Sequence, residues 1–267
     1  QLLDKNLDVN FSPFSSFLIQ KDPKKFSNFL FKKASANYLN EFLKNCNQYY
    51  EIDIDEGIDR VENECTEIGV AGFNSICLLF SNILHFFKFD LNEEQNVKVK
   101  SILDKMFSFL NDEKITVDDK NSILLSLYEG AKKNLFDKDS LKKLLLSIQF
   151  SDDFPQLKIT CLKMAILCME NDSDNNEEYQ RFFSFSPHED QIYIQYLDVF
   201  GDNFPLLKKI SHEFAIHLLW SIFHPLPLEP NTAVSVVKLL LKLDPNDVLN
   251  SEVDSKLEFL FSSYLSI

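Results

Sequence analysis

The chain has 267 residues, of which 45% are apolar, so it can bury a large core but is too long for a single compact helical bundle. Only 5 glycines occur, and the prolines lie at segment edges, which opposes an all-β fold and a glycine-loop-rich α/β fold. The net charge of −14 repels phosphate backbones, and we therefore expect no direct binding of nucleic acid. The acidic surface indicates solubility or, alternatively, an acidic face for a basic protein segment.

The first predicted elements are an irregular arm and a set of amphipathic helices. Residues 1–22 are rich in phenylalanine and predict an arm, while Asp22 and Pro23 are typical of a helix start, with Asp as the cap. Apolar residues at three-to-four spacing predict one or two helices between residues 26 and 43. The acidic stretch around 50–57 predicts a loop and allows a subdivision of the chain there. The next predicted helix pair is 58–68 and 70–88.

The middle of the chain carries clear helix-start signals. Asn92 begins a capped helix that runs to about Leu110, and a second predicted helix covers 117–134. A shorter partner helix is opened by Asp139 and Ser140. The apolar residues of these last two helices that we expect to face the core include Leu127 and Leu144.

One helix-start pattern recurs at an interval of 35 residues. Thr116, Ser151 and Ser186 each place a hydroxyl group before acidic residues, which suit the free N–H groups and the positive dipole of a helix N-terminus. A helix-length amphipathic segment and a second apolar segment follow each start. A helix pair repeating at this interval is typical of an α-solenoid. The pairs after the second and third starts are 155–170 with 177–184, and 187–200 with 205–210.

The remaining sequence also predicts helices. Residues 212–224 and 231–243 are separated by a proline-rich stretch, 225–230, which prevents helical continuation and allows a second subdivision. Ser251 starts a last helix. We therefore predict an all-α fold over 23–267, an α-solenoid of about 12–15 helices in stacked antiparallel pairs, similar to HEAT, armadillo and PCI repeats.

No catalytic constellation is visible in the sequence. The glycine-rich loops that bind nucleotide phosphates and the G-x-S-x-G turn of hydrolases are absent, and no pair of carboxylates is marked by an apolar setting. The five cysteines are irregularly spaced and include no C-x-x-C, which supports neither a disulfide framework nor structural zinc. We expect no enzymatic activity, no catalytic residue, no metal and no cofactor. A helical enzyme would need polar residues that converge only in three dimensions.

Three residues form the candidate partner-binding set. His217 and His224 are seven positions apart and can share a helix face, and Trp220, the only tryptophan, lies between them in an apolar segment. Aromatic residues anchor many protein interfaces, so an exposed Trp220 beside these histidines would mark a docking surface. The alternative interpretation places Trp220 in the core and the histidines at helix ends, where they satisfy backbone groups.

A more specific pattern begins at Thr116. This pattern continues with Lys120, a pair of leucines and the triplet Leu-Tyr-Glu. It resembles a segment of the M-subunit family of eukaryotic translation initiation factor three, whose members contain a PCI domain. The resemblance extends loosely over residues 75–205 and implies a non-catalytic scaffold subunit that assembles with sister subunits. Gly130 stands where the family has a helix former, and residues 211–267 predict helices where a PCI domain ends in a winged helix. The other matching positions are Leu124, Leu125, Leu127, Tyr128 and Glu129.

These features favour two functions. The first is a scaffold or adaptor subunit that binds other protein subunits of a hetero-complex, with the initiation factor as one named candidate. The alternative is a HEAT- or armadillo-type client-binding protein, such as a transport receptor or a proteasome-assembly chaperone, with an acidic face for basic partners. Polar residues interrupt the most apolar stretch, Val70 to Phe87, so we expect no membrane span. The cysteine usage indicates the cytoplasm or, alternatively, the nucleus.

Overall fold

A computed structural model gives the fold, and it describes residues 23–46, 54–66, 72–86, 91–148, 155–170, 176–183, 190–222, 230–244 and 246. All regular structure in these segments is helical, without a strand, so the fold is all-α as the sequence predicts. The chain divides into two compact units, Gln1–Lys143 and Leu144–Ile267. The subdivisions expected near 50–57 and 225–230 fall inside these units, and the arm predicted at 1–22 lies outside the described residues.

The described part of the first unit is a succession of helices of three to five turns. Their bounds agree with the predicted segments to within a few residues, and residues 26 to 43 are divided between two helices. A further helix, α7 (Lys138–Ser147), spans the boundary between the two units. The helices of the first unit are α1 (Pro23–Lys33), α2 (Ala36–Cys46), α3 (Asp55–Glu64), α4 (Phe73–Phe86), α5 (Glu93–Phe109) and α6 (Val117–Lys132).

Helices of the first unit pack against their second neighbours along the chain. α1 packs on α3 and α3 on α5, while α2 packs on α4 and α4 on α6. The consecutive helices α3 and α4 are also in contact, as are α5 and α6. The helices therefore form two rows in contact, an odd row of α1, α3 and α5 and an even row of α2, α4 and α6.

Short polar side chains join the helices of the even row. Asn40 on α2 donates to the Ser75 carbonyl on α4 at 3.1 Å and accepts from Asn82 Nδ2 at 2.9 Å. From α6, Ser126 Oγ donates to the Cys77 carbonyl on α4 at 2.8 Å. Because Asn40, Asn82 and Ser126 are buried, a lost partner would leave a polar group uncompensated at a cost of about 1–3 kcal/mol. These bonds align α4 against both neighbours.

Charged side chains join the helices of the odd row. Lys32 on α1 pairs with Glu56 on α3 at 3.0 Å, and Lys98 on α5 pairs with Asp59 on α3 at 2.8 Å. Arg60 on α3 donates to two backbone carbonyls at the end of α1, at 2.9 and 2.6 Å. A cation there satisfies carbonyls that have no partner inside the helix and complements the helix dipole. The odd row is thus joined mainly by ionic contacts, whereas Asn40, Asn82 and Ser126 join helices of the even row through neutral groups.

Two predicted helix starts are confirmed in detail. At α5, the Asn92 side chain accepts from the Gln95 N–H, and the Gln95 side chain accepts from the Asn92 N–H, both at 2.9 Å. Thr116 and Asp119 make the same reciprocal pair at the start of α6, with both bonds at 3.1 Å. Each pair satisfies two N–H groups that the helix itself leaves open. The corresponding predicted starts that lie outside the described residues are Ser151 and Ser186.

The start of α7 differs slightly from the prediction, which placed it at Asp139 and Ser140. The capping residue is Asp137, whose carboxylate accepts from the Ser140 N–H at 2.7 Å. Hydrogen bonds from the Ser140 side chain and backbone hold the pKa of Asp137 below its usual value. Leu144 is half-buried rather than fully buried, so it lies at the edge of the inward face of α7. The buried side chains on that face are Leu141, Leu145 and Ile148.

In the described part of the second unit, one long helix is the centre of packing. This helix, α10, packs against α8, α11 and α12. None of the described helices of either unit is long and apolar enough to cross a membrane. The elements of the second unit are α8 (Pro155–Met169), α9 (Asn176–Tyr179), a 3₁₀ turn (Gln180–Phe182), α10 (Asp190–Ile210), α11 (His212–Ile222) and α12 (Pro230–Lys242).

α10 corrects the prediction of two separate helices, 187–200 and 205–210. The chain is helical without a break from Asp190 to Ile210, with Pro205 inside the helix. A proline inside a helix costs about 3 kcal/mol. Phe204 and Leu207 flank it and are buried, and burial of such side chains contributes about 1.5–3 kcal/mol each. Burial of the residues on both sides of Pro205 therefore offsets the free-energy cost of the proline within the helix. Pro205 itself is exposed to solvent.

The core assignment of α6 leads to a first prediction. Leu127 is fully buried, so Leu127→Ala should lower the free energy of unfolding by about 2–5 kcal/mol, as expected for a cavity in a packed core. Leu144→Ala changes a half-buried residue and should lower the free energy of unfolding by less than Leu127→Ala does. Urea melts followed by circular dichroism measure both values. Equal losses for the two variants would contradict the assigned faces.

Gly130 leads to a second prediction, because it lies where α6 approaches α5. A Cβ added there would be 2.6 Å from Leu103 Cδ1, and Leu103 is fully buried. Gly130→Ala should therefore destabilise by about 1–3 kcal/mol through overpacking, although alanine is the better helix former. The double variant with Leu103→Ala should lose less than the sum of the two single losses in urea melts. Additive losses would mean that the close approach is not the cause.

Candidate interaction surface

The three residues of the predicted partner-binding set are only partly placed. Trp220 and His217 belong to α11, but their side chains are outside the described part of the structure, and His224 lies outside it altogether. Ala215, on the same helix, is buried. Exposure of Trp220 therefore stays a prediction. The other buried neighbours on α11 are Leu218 and Leu219.

One group of ionisable side chains lies between α4 and α6. His85 Nδ1 on α4 is 2.9 Å from Glu129 Oε1 on α6, and Lys132 Nζ is 3.4 Å from Glu129 Oε2. Glu129 is buried, whereas about half of the His85 side chain is exposed. The described residues contain no group of three or more His, Cys, Asp or Glu side chains that could hold a metal ion.

The electrostatics of this group favour an ionised carboxylate. Burial is the largest influence on Glu129 and raises its pKa, but the hydrogen bond with His85 and the charge of Lys132 together outweigh it, so the pKa lies below its ordinary value of 4.5. A general acid at neutral pH needs a carboxyl pKa that is raised instead. The group therefore links α4 to α6 through an ionised carboxylate.

A second polar region is a shallow depression between α3 and α5, with a volume of about 180 Å³. Three carboxylates line it, but Lys98 also lies there, 2.8 Å from Asp59 and 3.4 Å from Glu94. The hydrogen bond with Asp59 raises the pKa of Lys98, so its ammonium stays charged. The depression thus contains its own cation, which neutralises part of the negative charge. The third carboxylate belongs to Asp55.

The outer face of α12 is the largest apolar feature exposed in the described residues. Val234, Val237 and Leu241 are 53%, 40% and 81% exposed, and their spacing of three and four residues aligns them on one side of the helix. We call these three residues the α12 stripe. Lys238 lies within it and is also exposed. Val97 on α5 is exposed as well, but it is the only such large apolar residue of that helix, which is common on protein surfaces.

The opposite side of α12 is buried against α10. Val236 and Leu239 are at most 3% exposed, and the approach is so close that a Cβ on Gly201 of α10 would be 2.6 Å from Leu239 Cδ1. α12 is therefore apolar on two sides, of which one is covered. Helices with two apolar sides are typical of the interior of a stack, where each helix has a neighbour on both sides.

The sequence contains a signal for this surface that was not used to predict it. The helical segment Pro230–Lys242 has apolar residues at 234, 236, 237, 239, 240 and 241, which cannot all lie on one face. Periodicity shows that such a helix has more than one apolar side, but it does not show which side is covered. That assignment needs the position of α10.

Comparison with known proteins leaves the family open. No protein-family profile, no curated protein and no solved structure matches the chain. The resemblance to the initiation-factor family therefore stays a prediction.

The link between α4 and α6 leads to a third prediction. Glu129→Gln removes the carboxylate charge and should cost about 1.5–3 kcal/mol near pH 7, the range for buried hydrogen bonds to charged groups. Because the folded pKa of Glu129 lies below 4.5, its contribution is complete above that pH and is lost as the pH falls through the folded pKa. The difference in the free energy of unfolding between Glu129→Gln and the wild type should therefore become smaller in acid. Urea melts between about pH 7 and pH 3 measure it.

A matched control is Glu62→Gln, an exposed position on α3. Its effect should stay within about 0.5 kcal/mol at each pH. A loss for Glu129→Gln that is independent of pH would indicate a packing change rather than a lost ionic hydrogen bond.

Proposed function

We propose that the chain is a non-catalytic scaffold or adaptor subunit of a multi-protein complex, built from stacked helix pairs and acting in the cytoplasm or nucleus. The observation that carries this proposal is the α12 stripe, an apolar helix face exposed on a chain of charge −14. Exposed apolar side chains aligned on one face are typical of protein docking surfaces. No chemistry of the chain itself is required for such a role.

The packing order supports an α-solenoid. In a solenoid each helix contacts the equivalent helix of the next pair, as well as its partner within the pair. The odd and even rows of the first unit have this pattern, and α8, α10 and α12 repeat it in the second unit through second-neighbour contacts. Stacked pairs of this kind present long faces, one row on each side, to which partner proteins can bind.

The occupant that best fits the α12 stripe is an amphipathic helix of another protein subunit. Val234, Val237 and Leu241 cover two turns, which suits an apolar face of similar length. Lys238 adds an exposed positive charge within the stripe, so an acidic residue on the partner helix would complement it. The charge of the nearby Lys242 is already paired with Asp202 at 3.0 Å.

The alternative function, client binding through an acidic face, receives less support from the described residues. The carboxylates of the odd row are partly neutralised by the chain's own cations, since Lys32 pairs with Glu56 and Lys98 with Asp59. An acidic surface that binds basic partners would be expected to pair fewer of its carboxylates with lysines of the same chain. We therefore favour an apolar docking surface over an acidic one.

Eukaryotic translation initiation factor three is one candidate for the complex. Several residues that carry the resemblance also have a structural role in α6. Thr116 caps the helix, and Leu124 and Leu127 are buried. Such a pattern arises in any capped helix with a buried face, so these positions alone do not distinguish the family.

The proposed docking surface leads to a fourth prediction. Val234→Asp should reduce recovery of a stoichiometric partner about tenfold or more, because a carboxylate would be buried in the interface without compensation. The measurement is quantitative mass spectrometry after affinity purification of tagged full-length protein from its own cells. The matched control is Val97→Asp, the same change at an isolated valine that is 64% exposed. Equal recovery with both variants would contradict the proposed surface.

Further measurements on the purified chain distinguish other occupants of the stripe. Leu241→Asp should change the free energy of unfolding by less than about 0.5 kcal/mol if the partner is foreign, because Leu241 is 81% exposed. A large loss would mean that the chain itself covers the stripe. A dimer by light scattering that Leu241→Asp dissociates would identify a second copy as the occupant.

A further inference from the structure

The solvent side of α1 is basic, although the chain as a whole is acidic. α1 contains four lysines and neither aspartate nor glutamate, whereas the net charge of the chain is −14. All four lysines are exposed, and with about 3.6 residues per turn they lie within about half of the helix circumference. We call this set the α1 face, and it consists of Lys24, Lys25, Lys32 and Lys33.

Packing on the opposite side of α1 directs these lysines toward solvent. Leu30 and Phe31 are at most 2% exposed, and α1 packs against α3. Phe26 and Phe29 are half-buried, and their positions on the helix place them next to the lysines. The ring of Phe26 contacts Phe42 of α2 edge-on, with the ring centroids 6.4 Å apart. The α1 face is therefore bordered by two partly accessible aromatic rings.

The stability of the helix accounts for only two of the four lysines. Lys32 and Lys33 lie in the last turn, where positive charge complements the negative end of the helix dipole. Lys24 and Lys25 lie in the first turn, where the dipole disfavours positive charge, and α3, α5 and α6 have carboxylates in their first turns instead. Asp22, the predicted cap, carries one negative charge against these two positive charges. The first-turn lysines therefore indicate a role other than local stability.

The carboxylates of the described residues neutralise little of this charge. Lys32 pairs with Glu56 on α3 at 3.0 Å, but 57% of the Lys32 side chain is exposed, and ion pairs of this kind contribute little and open easily. Lys24 and Lys33 make no ion pair with any residue that the structure describes. Positive charge on the α1 face is therefore accessible to another molecule.

We propose that the α1 face binds an acidic segment of a partner protein. The lysines at the two ends of α1 are about 12 Å apart along the helix axis, so carboxylates at both ends of such a segment would meet them. Apolar side chains between these carboxylates would pack against Phe26 and Phe29. The proposal rests on the proposed adaptor function, and it gives the chemistry of a second docking surface, in the first unit rather than the second.

The charge around α1 favours a protein segment over other acidic partners. A nucleic acid or an anionic membrane carries an extended array of negative charge, which would reach past α1 to acidic parts of the chain. α3, which packs against α1, has Glu56 in its first turn and exposes Glu62 and Glu64. A short acidic segment contacts α1 alone and avoids this repulsion.

The test uses the purified full chain and a fluorescein-labelled synthetic peptide of glutamates interspersed with leucines, with binding measured by fluorescence anisotropy. The double variant Lys24→Glu/Lys33→Glu should weaken binding about tenfold or more, because two attractions become repulsions. The matched control is Lys100→Glu/Lys114→Glu, which makes the same charge change at two exposed lysines outside α1 and should leave binding within about twofold of the wild type. Circular dichroism and urea melts check that both variants keep the native fold.

Three results would overturn the proposal. The first is no binding of the peptide to the wild-type chain at low salt, and the second is an equal loss of binding in the α1 variant and in its control. The third is tighter binding of phosphatidylserine vesicles or of a single-stranded RNA than of the peptide, if the α1 variant abolishes it, because the face would then belong to a membrane or a nucleic acid. If Lys24→Glu/Lys33→Glu does not fold, the single variant Lys24→Glu takes its place, since a carboxylate in the first turn suits the helix dipole.

The same assay separates this proposal from the α12 stripe. Val234→Asp leaves α1 unchanged and should bind the peptide as the wild type does, even though it should lose the partner of the stripe. A failure of the stripe is therefore detected with Val234→Asp in the affinity purification, and a failure of the α1 face is detected with Lys24→Glu/Lys33→Glu in the peptide assay.

Discussion

The packing of α4 is the constraint on which the first unit depends. This helix is in contact with α2, α3 and α6, so most of its circumference must be buried. A fully apolar helix would satisfy that requirement without specifying how its neighbours align. α4 instead buries Asn82 and the backbone carbonyls of two residues, and each meets a polar partner on an adjacent helix. Because an unpaired polar group is costly in the interior, these bonds select one alignment of the even row.

We expect the polar contacts within the odd row and those within the even row to differ in their sensitivity to salt and acid. Ion pairs between exposed side chains in the odd row are screened by salt and contribute little individually. The buried amide and hydroxyl bonds of the even row involve uncharged groups, and the His85–Glu129 link adds a contact that is sensitive to acid. Both rows also bury apolar side chains, among them Ile58 and Val99 in the odd row and Leu79 and Leu127 in the even row.

In the second unit, the packing of α12 on α10 explains why an apolar stripe is exposed. A helix inside a stack needs two apolar sides, one for each neighbour, and a helix with one neighbour leaves the other side exposed. The tight contact between Gly201 and Leu239 fixes the orientation of α12 on α10, and this orientation directs Val234, Val237 and Leu241 outward. The docking proposal thus follows from the same packing rule that builds the rest of the unit.

Local sequence signals were sufficient for most of the described helices and for the starts of α5 and α6, because capping is an interaction between residues three positions apart. The reciprocal bonds at Asn92 and Thr116 are of this kind. Two features needed the folded chain: the unbroken helix through Pro205 and the half-buried position of Leu144. Each of these features depends on which residues from distant parts of the chain pack against the helix. The apolar periodicity of one helix contains no information about its neighbours. The family and the partner are encoded in neither the caps nor the periodicity, since any buried, capped helix shares both.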